Sequence, residues 1–160
     1  MGTKEVLLKQ FDNCYDKNEW FVAVKNALDS VTEEQAAWKP GGVQHSIREL
    51  LSHLIHDNNA FLQRSLGVDH KSHVTSNDET FNPVAGSWET DLGRFESTMT
   101  TLRELIQNAD ESKLSEPTPP RNELWQNELA NLNAHNAYHG GQIVMLRKLQ
   151  ESWDPAKGVS

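Results

Sequence analysis

Leu132-Asn133-Ala134-His135-Asn136-Ala137-Tyr138-His139-Gly140-Gly141-Gln142-Ile143 is the stretch that decides how this chain is read. Leu132, Ile143, Leu146 and Leu149 recur at helical spacing, so the segment predicts an amphipathic helix with those residues facing a core. His135 and His139 are four residues apart and fall inside that stripe, one helical turn from each other. Two ionisable rings on a buried face need partners, and one metal ion is the most economical partner for both. A single such histidine is more often a satisfied core residue, and the pair at this spacing keeps the two readings level. Gly140-Gly141 sits mid-helix, where each glycine costs about 1 kcal/mol relative to alanine. Close helix packing explains it, and so does room for a ligand beside His139.

Outward from that segment, the periodicity predicts helices throughout. The first runs from about Lys4 to Ser30, with Leu7, Leu8, Phe11, Tyr15, Phe21, Val24 and Leu28 as its apolar positions. Thr32-Glu33-Glu34-Gln35 reads as a capping box opening a short turn that Pro40-Gly41-Gly42 ends. Ser46-Ile47-Arg48-Glu49 is a second capping box, starting a helix lined by Ile47, Leu50, Leu51, Leu54, Phe61 and Leu62 and ending near Leu66-Gly67. Residues 67 to 86 lack a period; a stretch of that length has a purpose as the crossover between the second and third helices of a bundle. Ser87 caps a third helix, with Phe95, Met99, Leu102, Leu105 and Ile106 facing inward. The last helix spans about Asn122 to Trp153, where Asp154-Pro155 stops it. No alternating pattern suggests strands. The expectation is an all-α four-helix bundle forming one domain, residues 1–160.

Composition narrows the function. Fifteen basic and 23 acidic residues give a formal charge of −8, and no basic block exists to follow a phosphate backbone, so nucleic acid is not an expected partner. No apolar run approaches the roughly 20 residues that span a bilayer, and the start shows neither an export signal nor a complete myristoylation pattern. A single cysteine, Cys14, cannot form an internal disulfide and fits a reducing cytoplasm. Among apolar neighbours it reads as packing rather than as a nucleophile.

The metal reading needs a further ligand, and there are seven histidines to supply it. His45, His70 and His73 fall in loops or at a helix entrance and read as solvated rings. On the wheel of the second helix His53 lands at the edge of the apolar stripe and His56 nearly opposite its centre, which makes His53 the better third ligand. Asp57, one turn after His53, reads as a fourth ligand, an acceptor orienting an imidazole, or a surface carboxylate. Three neutral imidazoles suit Zn²⁺, Ni²⁺ or Fe²⁺ and leave coordination positions open, as catalytic sites do. No phosphate loop, nucleophile elbow or cysteine pair competes with this site, and no catalytic acid or base is identifiable. Trp20, Tyr138 and Trp125 are candidates to line a pocket or to pack in the core.

Taken together, Leu28 to Leu54 and Ala134 to Ile143 resemble the DinB/YfiT-like superfamily. The matching elements are Thr32-Glu33-Glu34 with Trp38-Lys39-Pro40, the Ser46-to-His53 run of Ser-Ile-x-Glu-Leu-Leu-x-His form, and His135 to Gln142 of His-x-x-x-His-x-Gly-Gln form. The resemblance extends along nearly the whole chain in helix order. It implies an up-down-down-up four-helix bundle with a three-histidine metal site at His53, His135 and His139. Characterised relatives include thiol-dependent S-transferases and a thiol-dependent isomerase; others are described as metal-dependent hydrolases, and many are homodimers. Gly140 departs from the larger residue common there. The expectation is therefore a metal-dependent enzyme, with Zn²⁺ or Ni²⁺ ahead of Fe²⁺, that transfers a low-molecular-weight thiol to an electrophilic small molecule. The alternatives are a hydrolase using metal-bound hydroxide, or a non-catalytic stress protein that binds metal or ligand.

Overall fold

The computed structural model describes residues 2–42, 45–68 and 74–158, and these are mostly helical. In chain order the helices are α1 Thr3–Tyr15, α2 Val24–Leu28, α3 Glu33–Ala37, α4 Ile47–Ser65, α5 Trp88–Asn108 and α6 Trp125–Leu149. His70 and His73 lie outside the described residues.

The polar punctuation explains most boundaries. Thr32 and Gln35 form the reciprocal capping box that opens α3, and Ser46 and Glu49 do the same for α4. Leu66 closes α4, followed by Gly67 at φ +72°, a left-handed position that glycine takes without strain. Ser87 accepts from Thr90 N to cap α5.

Three features differ from the sequence expectation. The first long helix is two helices, because asparagine side chains replace the helical ladder between them. Asn18 Oδ1 accepts from Ala23 N at 2.9 Å, and Asn26 Nδ2 donates to the Asp16 carbonyl at 3.1 Å. The last helix starts at Trp125, three residues later than expected, because Pro117–Thr118 (β1) and Glu123–Leu124 (β2) pair as a short antiparallel hairpin. That hairpin is too short to carry an alternating pattern. Leu149, placed on the inner stripe of the last helix, is 53% exposed, whereas Leu132, Ile143 and Leu146 are buried.

The four longer helices pack in a closed cycle of neighbours, α1 on α6, α6 on α4, α4 on α5 and α5 on α1. Their contacts fix direction. Arg48 near the start of α4 binds Asp91 near the start of α5 at 2.7 Å, so these two run together. Residue numbers run oppositely across α4 and α6, from Asn58–Asn136 through Arg64–Glu128 to Ser65–Trp125. They also run oppositely across α1 and α5, where Lys4 meets Ala109 and Tyr15 meets Phe95. Leu7 meets Asn133 and Asn18 meets Lys157, so α1 and the chain beyond α6 advance together. Phe11, Leu51, Leu54, Met99, Leu102, Ile106, Leu129 and Ile143 fill the shared core. No described helix is long and apolar enough to cross a membrane.

Candidate metal centre

The α4–α6 seam holds the site. At its centre Asn58 and Asn136, both fully buried, exchange amide hydrogen bonds of 2.7 and 3.0 Å, and Asn58 also donates to the Leu54 carbonyl. This pairing sets the register of the two helices. One turn toward the start of α4 it brings His53 against His135 and His139, and the ligand-capable atoms of all three lie within 4.8 Å of one another.

The hydrogen bonds define which nitrogens face inward. Thr80 Oγ1 gives its proton to the Asn77 carbonyl at 2.6 Å, so it accepts from His53 Nδ1, also at 2.6 Å. On His139 the Nδ1–H donates to Gln142 Oε1 at 2.6 Å. A neutral ring protonated at Nδ1 keeps a lone pair on Nε2. Both Nε2 atoms point at His135 Nε2, 3.0 Å from His53 and 3.1 Å from His139. His135 can offer at most one Nε2 proton to two acceptors, and its Nδ1 is buried without a partner. Burial lowers the pKa of all three rings, His53 to about 4, so added protons do not resolve the conflict near neutral pH. Three lone pairs converging on one point match what a divalent cation accepts, and the residues present fit such an ion.

The surroundings restrain the rings. Phe81 stacks on His53 with centroids 4.1 Å apart, and His45 stacks on the other Phe81 face at 3.9 Å. His45 is therefore half-buried and packed, not the solvated ring the sequence suggested. Asp57 is the third restraint. Its Oδ2 lies 3.5 Å from both His53 Nε2 and His135 Nε2, and its Oδ1 meets His56 Nδ1 at 3.0 Å. His56 itself is outside the triangle.

Other candidates separate cleanly. Trp125 is core, stacked on Phe61 and donating to Ser65, whereas Trp20 is 93% exposed. Tyr138 is exposed, yet its ring stands edge-on to His139 and its hydroxyl accepts from Gln142. A Cβ on Gly140 would meet Val24 Cγ2 at 3.1 Å, so this glycine serves close packing, whereas Gly141 faces open space. Cys14 is buried, its thiol donating to the Asn133 carbonyl and pushed up to about 12 by burial, as befits packing. A cavity of about 520 Å³ lies at the ends of α4 and α5 beside Trp125, with no histidine among its lining residues.

Thr80, Phe81 and the role of Gln142 escaped sequence reading. Thr80 and Phe81 come from a 3₁₀ turn, Asp78–Phe81, inside the stretch without a period, and no sequence signal marks them. Gln142 was visible as a motif position three residues after His139, a spacing that lets it reach that ring.

The frame and cluster together define a helical protein with a histidine-rich candidate metal site on the seam of two antiparallel helices. The chain belongs to the DinB superfamily, whose family model matches residues 22–143, a span that includes all three histidines. No curated protein matches the chain.

Proposed function

We propose that this protein is a metal-dependent enzyme that transfers a low-molecular-weight thiol to an electrophilic small molecule. His53, His135 and His139 would hold a divalent ion, Zn²⁺ or Ni²⁺ ahead of Fe²⁺. The convergence of three Nε2 lone pairs carries this reading, and membership of the DinB superfamily supports it. The frame we propose is one domain over residues 1–160, an up-down-down-up four-helix bundle whose crossover joins α4 to α5. The helix directions described above support that topology. We further propose a cytoplasmic homodimer that binds neither nucleic acid nor membrane.

A bound ion supplies positive charge that favours the thiolate over the thiol near neutral pH. The chain's own groups do the rest. Thr80 and Gln142 lock two imidazoles with Nε2 inward, Phe81 fixes the plane of His53, and Asp57 stands beside two rings, where it can take the thiol proton. The sulfur lone pair then forms the new bond to the electrophilic carbon as the leaving group departs with its electron pair.

The same Asp57 favours a second reading, hydrolysis, because a carboxylate near the centre can equally deprotonate a water. Metal-loaded protein assayed with a panel of small thiols and a chromogenic electrophile separates the two. Turnover that needs both thiol and metal is expected. Ester or amide cleavage without thiol dependence contradicts the transferase reading, and tight ligand binding without turnover marks a non-catalytic binding protein.

A further inference from the structure

A second polar cavity, about 120 Å³, adjoins the histidine centre along the same seam, with His135 and Asp57 at one end. Phe61 and Leu132 are among its apolar walls, and Arg64, Glu128, Arg121 and Asn131 supply its polar ones. A volume of that size holds about four waters or one small polar group, well below a full drug-sized pocket.

Its charges are unevenly satisfied. Arg64 and Glu128 pair at 3.1 Å through Nη2 and Oε2, but Glu128 Oε1 is buried without a hydrogen-bond partner in a residue only 7% exposed. A buried carboxylate oxygen left unmatched is costly unless a donor reaches it. Arg121 stands on the loop between β1 and β2, and among the described residues it has no ion-pair or hydrogen-bond partner. In a chain of net charge −8, a guanidinium without a carboxylate partner at the rim of a cleft stands out. The cavity thus offers an unpaired guanidinium at its rim, Arg121, and within the Arg64–Glu128 pair one free carboxylate oxygen, Glu128 Oε1, and one free donor, Arg64 Nε, next to a ring of the candidate metal centre.

We propose that this cavity is a subsite for an α-amino-acid head group. Arg121 takes the carboxylate and Glu128 Oε1 takes the ammonium, so that the side chain of the bound molecule extends toward His135. The orientation of the reactive end rests on the metal-dependent transferase reading; recognition of the zwitterion does not. Under that reading the thiol donor is of the cysteine type, carrying amine, carboxylate and sulfur on one small frame.

Chelator-treated, metal-free protein titrated by NMR with L-cysteine, L-serine, cysteamine and 3-mercaptopropionate tests the proposal. L-cysteine and L-serine are expected to bind alike, and the two molecules that lack one head-group charge roughly tenfold more weakly. Arg121→Gln, at an exposed position, is expected to weaken L-serine and 3-mercaptopropionate by roughly tenfold and leave cysteamine unchanged. Glu128→Gln should produce the converse pattern, sparing 3-mercaptopropionate. Cysteamine binding as well as L-cysteine, or L-serine binding unchanged in Arg121→Gln, would overturn the subsite. Metal content measured on the same preparations before chelator treatment separates the two ideas. Normal metal loading with no L-serine binding defeats the subsite alone, and L-serine binding without metal loading defeats the metal reading alone.

Discussion

Two buried polar clusters sit one helical turn apart on the α4–α6 seam, and they differ in kind. The Asn58–Asn136 pair is closed: each amide gives what the other accepts, and the spare donor of Asn58 finds the Leu54 carbonyl. The histidine triangle is open: three Nε2 atoms face one another with too few protons between them, and His135 Nδ1 has no partner. Polar groups that satisfy each other hold a register, whereas groups that converge without satisfying each other recruit something from outside. Arg147 belongs with the first kind, its guanidinium spent on the carbonyls of Ala27, Asp29 and Ser152.

The comparison can be broken from either side. Asn58→Ala should cost roughly 2–4 kcal/mol of stability, because it strands the Asn136 amide in the core. Chemical denaturation measures this, and a loss below about 1 kcal/mol would mean the pair does not set the register. Acid should act on the open cluster in the metal-free protein. Burial holds the folded-state pKa of His53 at about 4, below the ordinary 6.5, and lowers His135 and His139 as well. The unfolded chain therefore binds protons that the folded chain refuses. The stability is fully present above about pH 6.5 and is lost as pH falls toward 4, by an amount on the order of 1–3 kcal/mol. A flat stability profile through that window would contradict the buried, neutral state of the rings. Thr80→Val should weaken metal affinity by roughly 10–100-fold with little change in fold, since it removes the acceptor that sets the His53 tautomer. Unchanged affinity would leave Thr80 a packing residue.

The difference between the clusters also explains what could be read in advance. Caps are local, so Thr32, Ser46 and Ser87 announced three helix starts, and the spacing of His135 and His139 announced a shared face. The wheel favoured His53 over His56, and the structure sets His53, not His56, against the pair. What stayed hidden depends on contacts distant in sequence. Thr80 and Phe81 meet His53 from a segment with no period, and His45 is packed only because Phe81 lies beneath it. Asn18 breaks the first helix through a bond to Ala23 that competes with the helical ladder, a choice that apolar spacing alone does not show.

Metal content of gently purified protein, measured for wild type and for His53→Ala, His135→Ala and His56→Ala, tests the central claim most directly. The account predicts about one divalent ion per chain in wild type and in His56→Ala, and near-complete loss in His53→Ala and His135→Ala. Equal metal content in wild type and His135→Ala, with both proteins folded, would contradict it.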